Sequence, residues 1–170
     1  AGGKADFAVF PKSVLQVREA CDWAKKNKHA ITVLSGGTNV LISDKGVEGL
    51  TIVMRDLKGI EGDGYALGVF RAECLAGTPK AELLKHFVKH RLSPAVFMAG
   101  LPGDVGGGVV MNAGIGHDEQ PKEFSQIVDW VEYIDLTTDN FKVVQKQKEE
   151  IDWAYRKTAG WRPGIITKVG

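Results

Sequence analysis

The sequence has little of what marks a special environment. It carries only two cysteines, Cys21 and Cys74, far apart and without the C-x-x-C spacing of a redox or metal motif. Both are read as small buried apolar residues. That excludes a disulfide scaffold and fits a reducing, cytoplasmic location. No apolar run approaches the ~20 residues that span a bilayer, so no membrane association is expected. The opening "AGGKADF" has no signal-peptide pattern and no initiator Met. Charge is balanced and spread: 22 Lys and Arg against 21 Asp and Glu leave +1. With no basic field, nucleic acid is not an expected partner. The histidines are His29, His86, His90 and His117, and they show no metal-ligand spacing. His86 and His90 stand four apart on one expected helix, but no carboxylate motif accompanies them, so no metal is expected.

What the sequence does have is glycine, 21 residues in 170. Seven of them (Gly100, Gly103, Gly106, Gly107, Gly108, Gly114 and Gly116) fall in one short stretch. Apolar residues make up 44% and charged residues 25%, an ordinary globular composition. The length suits one domain with a sizeable core.

Along the chain, Phe7 to Phe10 reads as a strand stopped by Pro11. Ser13 and Gln16 have capping-box spacing. Val14, Val17, Cys21 and Ala24 then recur at helical spacing, and Asn27 and His29 suit the helix end. Ile31 to Leu34 and Leu50 to Met54 read as strands, completing a small βαβ unit with parallel pairing. Tyr65 to Phe70 reads as a further strand, with Ala72 to Leu75 extending it or pairing with it. Thr78 and Pro79 suit an N-cap and first helical position. Leu83, Leu84, Phe87 and Val88 supply that helix's apolar face. Ile127 to Leu136 and Phe141 to Gln145 read as hairpin arms around a Thr138-Asp139-Asn140 turn. Glu149 to Tyr155 suits a short helical turn, and Ile165 to Val169 a last strand. The expected architecture is α+β. Residues 1–56 would form a small βαβ subdomain and residues 57–170 a second, mostly antiparallel α+β subdomain.

Two glycine loops stand out. In "LSGGTNVLISDKG", Ser35-Gly36-Gly37-Thr38-Asn39 can converge several backbone N–H groups on one anion, with side-chain donors beside them. The same residues also suit a plain β-loop. In "GLPGDVGGGVVMNAG", three adjacent glycines each weaken a helix or strand by roughly 0.5–1 kcal/mol relative to Ala. They make sense where a flat ring or a pyrophosphate approaches the backbone, or where backbone packs on backbone. Neither loop is a G-x-x-x-x-G-K-[ST] P-loop. Met111 stands where a dinucleotide fingerprint wants Gly or Ala, so a Rossmann site is not expected.

Taken in order, "LSGGTNVLISDKG", "AGLPGDVGGGVVMNAG" and "WAYRKT" resemble the UDP-N-acetylenolpyruvoylglucosamine reductase (MurB) family. Gly2-Gly3-x-Ala5 followed by Pro11-x-Ser13 resembles the segment after that family's N-terminal Asn-Thr-Phe. The resemblance implies an FAD-binding fold of the vanillyl-alcohol-oxidase type and non-covalent FAD. It also implies NADPH as reductant and a UDP-sugar as substrate, in peptidoglycan precursor synthesis. It places Ser35, Gly36, Gly37, Thr38, Asn39, Val40 and Leu41 around the FAD diphosphate. Leu101, Pro102, Gly103, Val105, Gly106 and Gly107, then Met111, Asn112, Ala113 and Gly114, would run along the diphosphate toward the flavin ring. Arg156 would be the catalytic arginine. Thr38 stands where some oxidases of this fold carry a flavin-linking histidine, so a covalent link is not expected. Thr158 stands where serine is usual and keeps the hydroxyl. The segment from Gly114 to Phe124 is longer and more polar than the family's turn. A proton-donating serine, a glutamate and the substrate domain would lie beyond Gly170.

Overall fold

The computed structural model describes residues 2–93, 95–116 and 122–170. Its first part is built on a parallel three-stranded sheet in the order β1-β3-β2. The strands are β1 (Ala5–Val9), β2 (Ile31–Leu34) and β3 (Val47–Val53). Helix α1 (Val14–Lys26) connects β1 to β2. Ser13 Oγ accepts from the Gln16 N–H at 3.2 Å, which fixes the helix start. The expected capping box is only half formed: Gln16 Oε1 accepts from the Lys12 N–H at 2.6 Å, not from Ser13.

The second part is an antiparallel five-stranded sheet, β4-β5-β10-β6-β7. Its strands are β4 (Ile60–Ala66), β5 (Val69–Leu75), β6 (Trp130–Asp135), β7 (Val143–Gln147) and β10 (Gly164–Val169). The strand expected over Tyr65 to Phe70 is instead a tight hairpin corner. Leu67 and Gly68 take φ values of +51° and +79°, the pattern of a two-residue primed turn. The helical turn expected over Glu149 to Tyr155 is confined to a 3-10 turn at Lys148–Glu150. The chain then forms a small hairpin, β8 (Asp152–Ala154) with β9 (Lys157–Ala159).

Helix α2 (Lys80–Lys89) covers one face of the larger sheet together with α3 (Val105–Val110). Pro79, not Thr78, holds the N-cap position of α2. The Thr78 hydroxyl is used elsewhere, accepting from the Gly59 N–H and donating to the Gly59 carbonyl. On α2, Leu83 is buried, whereas Val88, expected on the same apolar face, is exposed. Phe97, Val105, Val109, Phe124, Val131 and Ile166 lie in the core beneath these helices. A second cluster takes Val17 and Cys21 from α1, Ile52 from β3, Ile134 from β6 and Ile165 from β10. It bonds the two sheets into one body through apolar burial.

Both cysteines are free and buried. Burial, then the neighbouring Asp22 carboxylate, pushes the Cys21 thiol up to about 11. Burial alone pushes Cys74 to about 12. Neither is a thiolate nucleophile at neutral pH. Among the described residues no helix is long and apolar enough to cross a membrane.

Candidate functional site

The two glycine loops come from opposite parts of the chain and meet. The first leaves the C-terminal end of β2. The second hangs on the segment before α2 by three backbone bonds. The Lys80 N–H donates to Gly103 O at 3.0 Å, Val105 N–H to Thr78 O at 2.8 Å, and Gly106 N–H to Ala76 O at 2.8 Å. A side-chain bond joins the loops across the gap: Ser35 Oγ donates to Asp104 Oδ2 at 2.8 Å. Gly37 and Gly103 take φ values of +68° and +90°, which turn their peptides in a way a side chain disfavours. Among the described residues no hydrogen bond takes the N–H groups of Gly36, Gly37, Thr38 or Asn39. Unpaired N–H groups in a concave loop make an anion cradle.

Behind the loops lies a cleft of about 1030 Å³ between the two sheets. Ser35, Gly36, Gly37, Thr38, Asn39 and Val40 line one wall. Pro102, Gly103, Gly106, Gly107, Met111 and Ala113 line another, and Arg156 reaches it from the β8–β9 turn. The other residues singled out in sequence lie around the cleft without lining it. Leu41 is 91% exposed and Val105 is fully buried in the core. Leu101 packs against that core.

Asn112 is buried and bridges two elements. Its Nδ2 donates to Ala154 O at 3.3 Å and its Oδ1 accepts from the Ser125 N–H at 2.9 Å. It thereby ties the β8–β9 hairpin to the glycine segment. Gly114 accepts from Arg156 Nη1 at 3.2 Å through its carbonyl. Of the segment 114–124, residues 117–121 lie outside the described residues. Its two ends pair through Gly114 and Glu123.

Arg156 sits in a two-residue turn between the paired Ala154 and Lys157, at φ +56°. Its guanidinium carbon lies 5.2 Å from the Tyr155 ring centroid. Thr158 is fully buried. Its Oγ1 donates to Val110 O at 3.2 Å and accepts from Trp161 Nε1 at 3.1 Å. The hydroxyl retained at this position thus pins the hairpin to the end of α3.

The cleft also has residues that the sequence motifs did not mark. Lys80 is buried and lines the cleft, as do Arg162 and Gly164, Ile165 and Ile166 of β10. Burial pushes the Lys80 ammonium below the usual lysine range, and the Asp104 carboxylate pulls it partly back. Three cations, Lys80, Arg156 and Arg162, face one carboxylate, Asp104, in the lining. Ile31, Val33 and Met54 add apolar wall. A long cleft with free backbone N–H groups, surplus positive charge and apolar walls fits a dinucleotide with a flat ring. The donor set therefore suits FAD.

Known proteins agree with this geometry. The chain is 30% identical over 165 residues to the UDP-N-acetylenolpyruvoylglucosamine reductase of Limosilactobacillus fermentum, covering 97% of this chain and 51% of that protein. It is 34% identical over 158 residues to the enzyme of that name from Prochlorococcus marinus, covering 92% of this chain and 48% of that protein. The chain thus spans about half the length of the curated relatives it matches. The crystal structure of the reductase (MurB) from Thermus caldophilus superposes with a TM-score of 0.67 at 26% identity, over 95% of this chain and 53% of that one. Cholesterol oxidase from B. sterolicum shares the fold at 17% identity and a TM-score of 0.67, over 95% of this chain and 33% of that one. The family model described as an FAD binding domain matches residues 5–140, and the chain belongs to that family.

Proposed function

We propose that this chain is the FAD-binding part of an NADPH-dependent UDP-N-acetylenolpyruvoylglucosamine reductase, working in cytoplasmic peptidoglycan precursor synthesis. One observation carries the reading. Arg156 meets both glycine loops at a single cleft, in a chain similar over nearly its whole length to reductases of that name. Residues 1–56 act as the small βαβ subdomain, residues 57–170 as the larger one, and a substrate-binding domain belongs to the part of the relatives that this chain does not span.

When bound, FAD would supply the hydride chemistry that links NADPH to the enolpyruvyl double bond. The chain's own residues bind and orient. The N–H groups of Gly36 to Asn39 would receive the diphosphate, and Lys80 would set a buried cation in the same cleft. Gly107 lets the ligand lie against the backbone. Ile165 and Ile166, buried in the cleft wall, would help to keep water from a bound ring. Arg156 is the catalytic residue: its guanidinium, fixed by Gly114 O and Tyr155, stabilises the oxyanion that develops on the substrate.

The test follows NADPH absorbance in the full-length protein after the UDP-sugar is added. Consumption that depends on the sugar is expected. Flavin absorbance without any consumption would instead mark a flavin-holding module and overturn the reductase reading.

The placement of Lys80 gives a separate prediction. An anion bound above Lys80 favours its charged form, so binding draws in a proton wherever free Lys80 is already partly neutral. Affinity for FAD should therefore fall as pH rises through the lowered Lys80 pKa. The sign for stability without ligand is opposite. A depressed folded-state pKa means that charging Lys80 costs stability below it, and the cost is relieved as pH rises. Lys80→Met should flatten the pH dependence and weaken FAD about tenfold, the value of one hydrogen bond to a charged group. Fluorescence titration with FAD across alkaline pH reads both effects.

A further inference from the structure

A second group of chemically capable side chains lies away from the flavin cleft. Sequence spacing pairs only His86 with His90 and supplies no carboxylate. The fold supplies it from β4, more than twenty residues earlier. Among the described residues, Asp63, His86 and His90 are the one group whose ligand atoms all lie within 4.8 Å of one another. Asp63 Oδ2 stands 2.8 Å from His86 Nε2 and 3.5 Å from His90 Nε2. Two donors on a tetrahedral zinc, each at about 2.1 Å, stand about 3.4 Å apart. The observed separations bracket that value.

The orientation matters as much as the distances. His86 Nε2 is buried, yet it makes no hydrogen bond of acceptable geometry, even to the carboxylate oxygen beside it. A ring nitrogen that close to a carboxylate, yet without a hydrogen bond, keeps its lone pair free for a cation. Both histidines sit on one face of α2, one turn apart. The Phe70 ring, 4.9 Å from His90 and 6.1 Å from His86, backs the pair and limits their rotation. Asp63, Glu82 and His86 border an open depression of about 460 Å³, where water can complete a fourth position. Lys85 and Lys89 border the same depression. Their ammonium groups ride on flexible stems that can swing into solvent.

We propose that Asp63, His86 and His90 form a divalent transition-metal site, suited to zinc, that clips the β4–β5 hairpin to α2. Two imidazoles and one carboxylate are a donor set for zinc, cobalt or nickel rather than for magnesium or calcium. The site is structural: it joins two elements adjacent in space and takes no part in the flavin cleft.

The probes are Zn²⁺ and Co²⁺ with the full chain in a non-chelating buffer. Calorimetry should show one equivalent of Zn²⁺ bound, Co²⁺ should develop visible absorbance of low coordination number, and Zn²⁺ should raise Tm. His90→Gln and Asp63→Asn should each weaken Zn²⁺ at least about tenfold, the loss that even an outer partner of a ligand costs. Both should leave FAD affinity unchanged. His29→Ala, which removes a histidine stacked on Trp23, should leave Zn²⁺ binding intact. Absence of stoichiometric Zn²⁺ binding would overturn the site. So would binding that persists unchanged in a double His86→Ala, His90→Ala variant.

Discussion

Arg156→Ala in the full-length protein is expected to keep its flavin absorbance and to lose about 10²–10³ in kcat, the usual cost of removing one donor aimed at a developing oxyanion. The geometry says why the loss would be chemical. Arg156 is an exposed residue in a tight turn whose flanking strands are paired on either side. Among the described residues its side chain makes one bond, to Gly114 O, and one ring contact, and its exposure means that truncation leaves no buried hole. Its left-handed backbone, at φ +56°, costs about 1 kcal/mol in any residue with a Cβ. Ala inherits that cost, whereas Gly is relieved of it. Arg156→Gly should therefore be slightly more stable than Arg156→Ala and equally slow. Arg156→Lys keeps the charge but not the planar fork, and should fall between wild type and Ala. Unchanged kcat in Arg156→Ala would remove the residue from the mechanism. A drop in kcat that tracked lost FAD would reassign it to cofactor binding.

How far the sequence could be read follows from the range of the forces involved. The first sheet was legible because β-branched runs flank the Ser35–Asn39 loop and α1 carries a clear helical period. The α+β division was legible for the same reason. The β4–β5 hairpin was misplaced because Gly62 and Gly64 dilute the strand signal, while the turn falls on Leu67-Gly68, where a leucine with positive φ leaves no trace in composition. The β8–β9 hairpin was missed because acidic residues before Tyr155 suit a helix equally well. Within the cleft, both glycine loops were visible as local composition. Lys80 was not, because Thr78-Pro79-Lys80 reads as an ordinary helix start. Only the backbone bonds that join Lys80, Thr78 and Ala76 to Gly103, Val105 and Gly106 carry it beneath the second loop. Arg162 and the β10 residues were missed for a similar reason: strand pairing at long range, not a motif, brings them to the wall. The Asp63 carboxylate beside His86 and His90 belongs to this class too.

The three adjacent glycines show how far composition can go before structure must decide. They raised two explanations, close approach of a ligand and close packing of backbone, and the structure distributes these over different positions. A Cβ at Gly106 would stand 2.8 Å from the Ala76 Cβ and 3.0 Å from its carbonyl oxygen. One at Gly108 would stand 2.6 Å from two ring carbons of Phe124, which is 1% exposed in the core. Those two glycines serve packing. Among the described residues, a Cβ at Gly107 would meet only the Ser35 side chain, at ordinary contact distances of 3.5 and 3.6 Å, and both residues line the cleft. Gly107→Val is therefore expected to fold with a Tm near that of wild type and to bind FAD about a hundredfold more weakly, because its methyl groups fill the ligand's volume. Gly108→Val should lose folded protein outright, since a valine there must displace Phe124 from a close-packed interior. The pair separates the two roles in one experiment: thermal melts report Gly108, and FAD titration reports Gly107. Unchanged FAD affinity in a well-folded Gly107→Val would mean that the ligand does not pass over this backbone, and the proposed path of the diphosphate along α3 would fail with it.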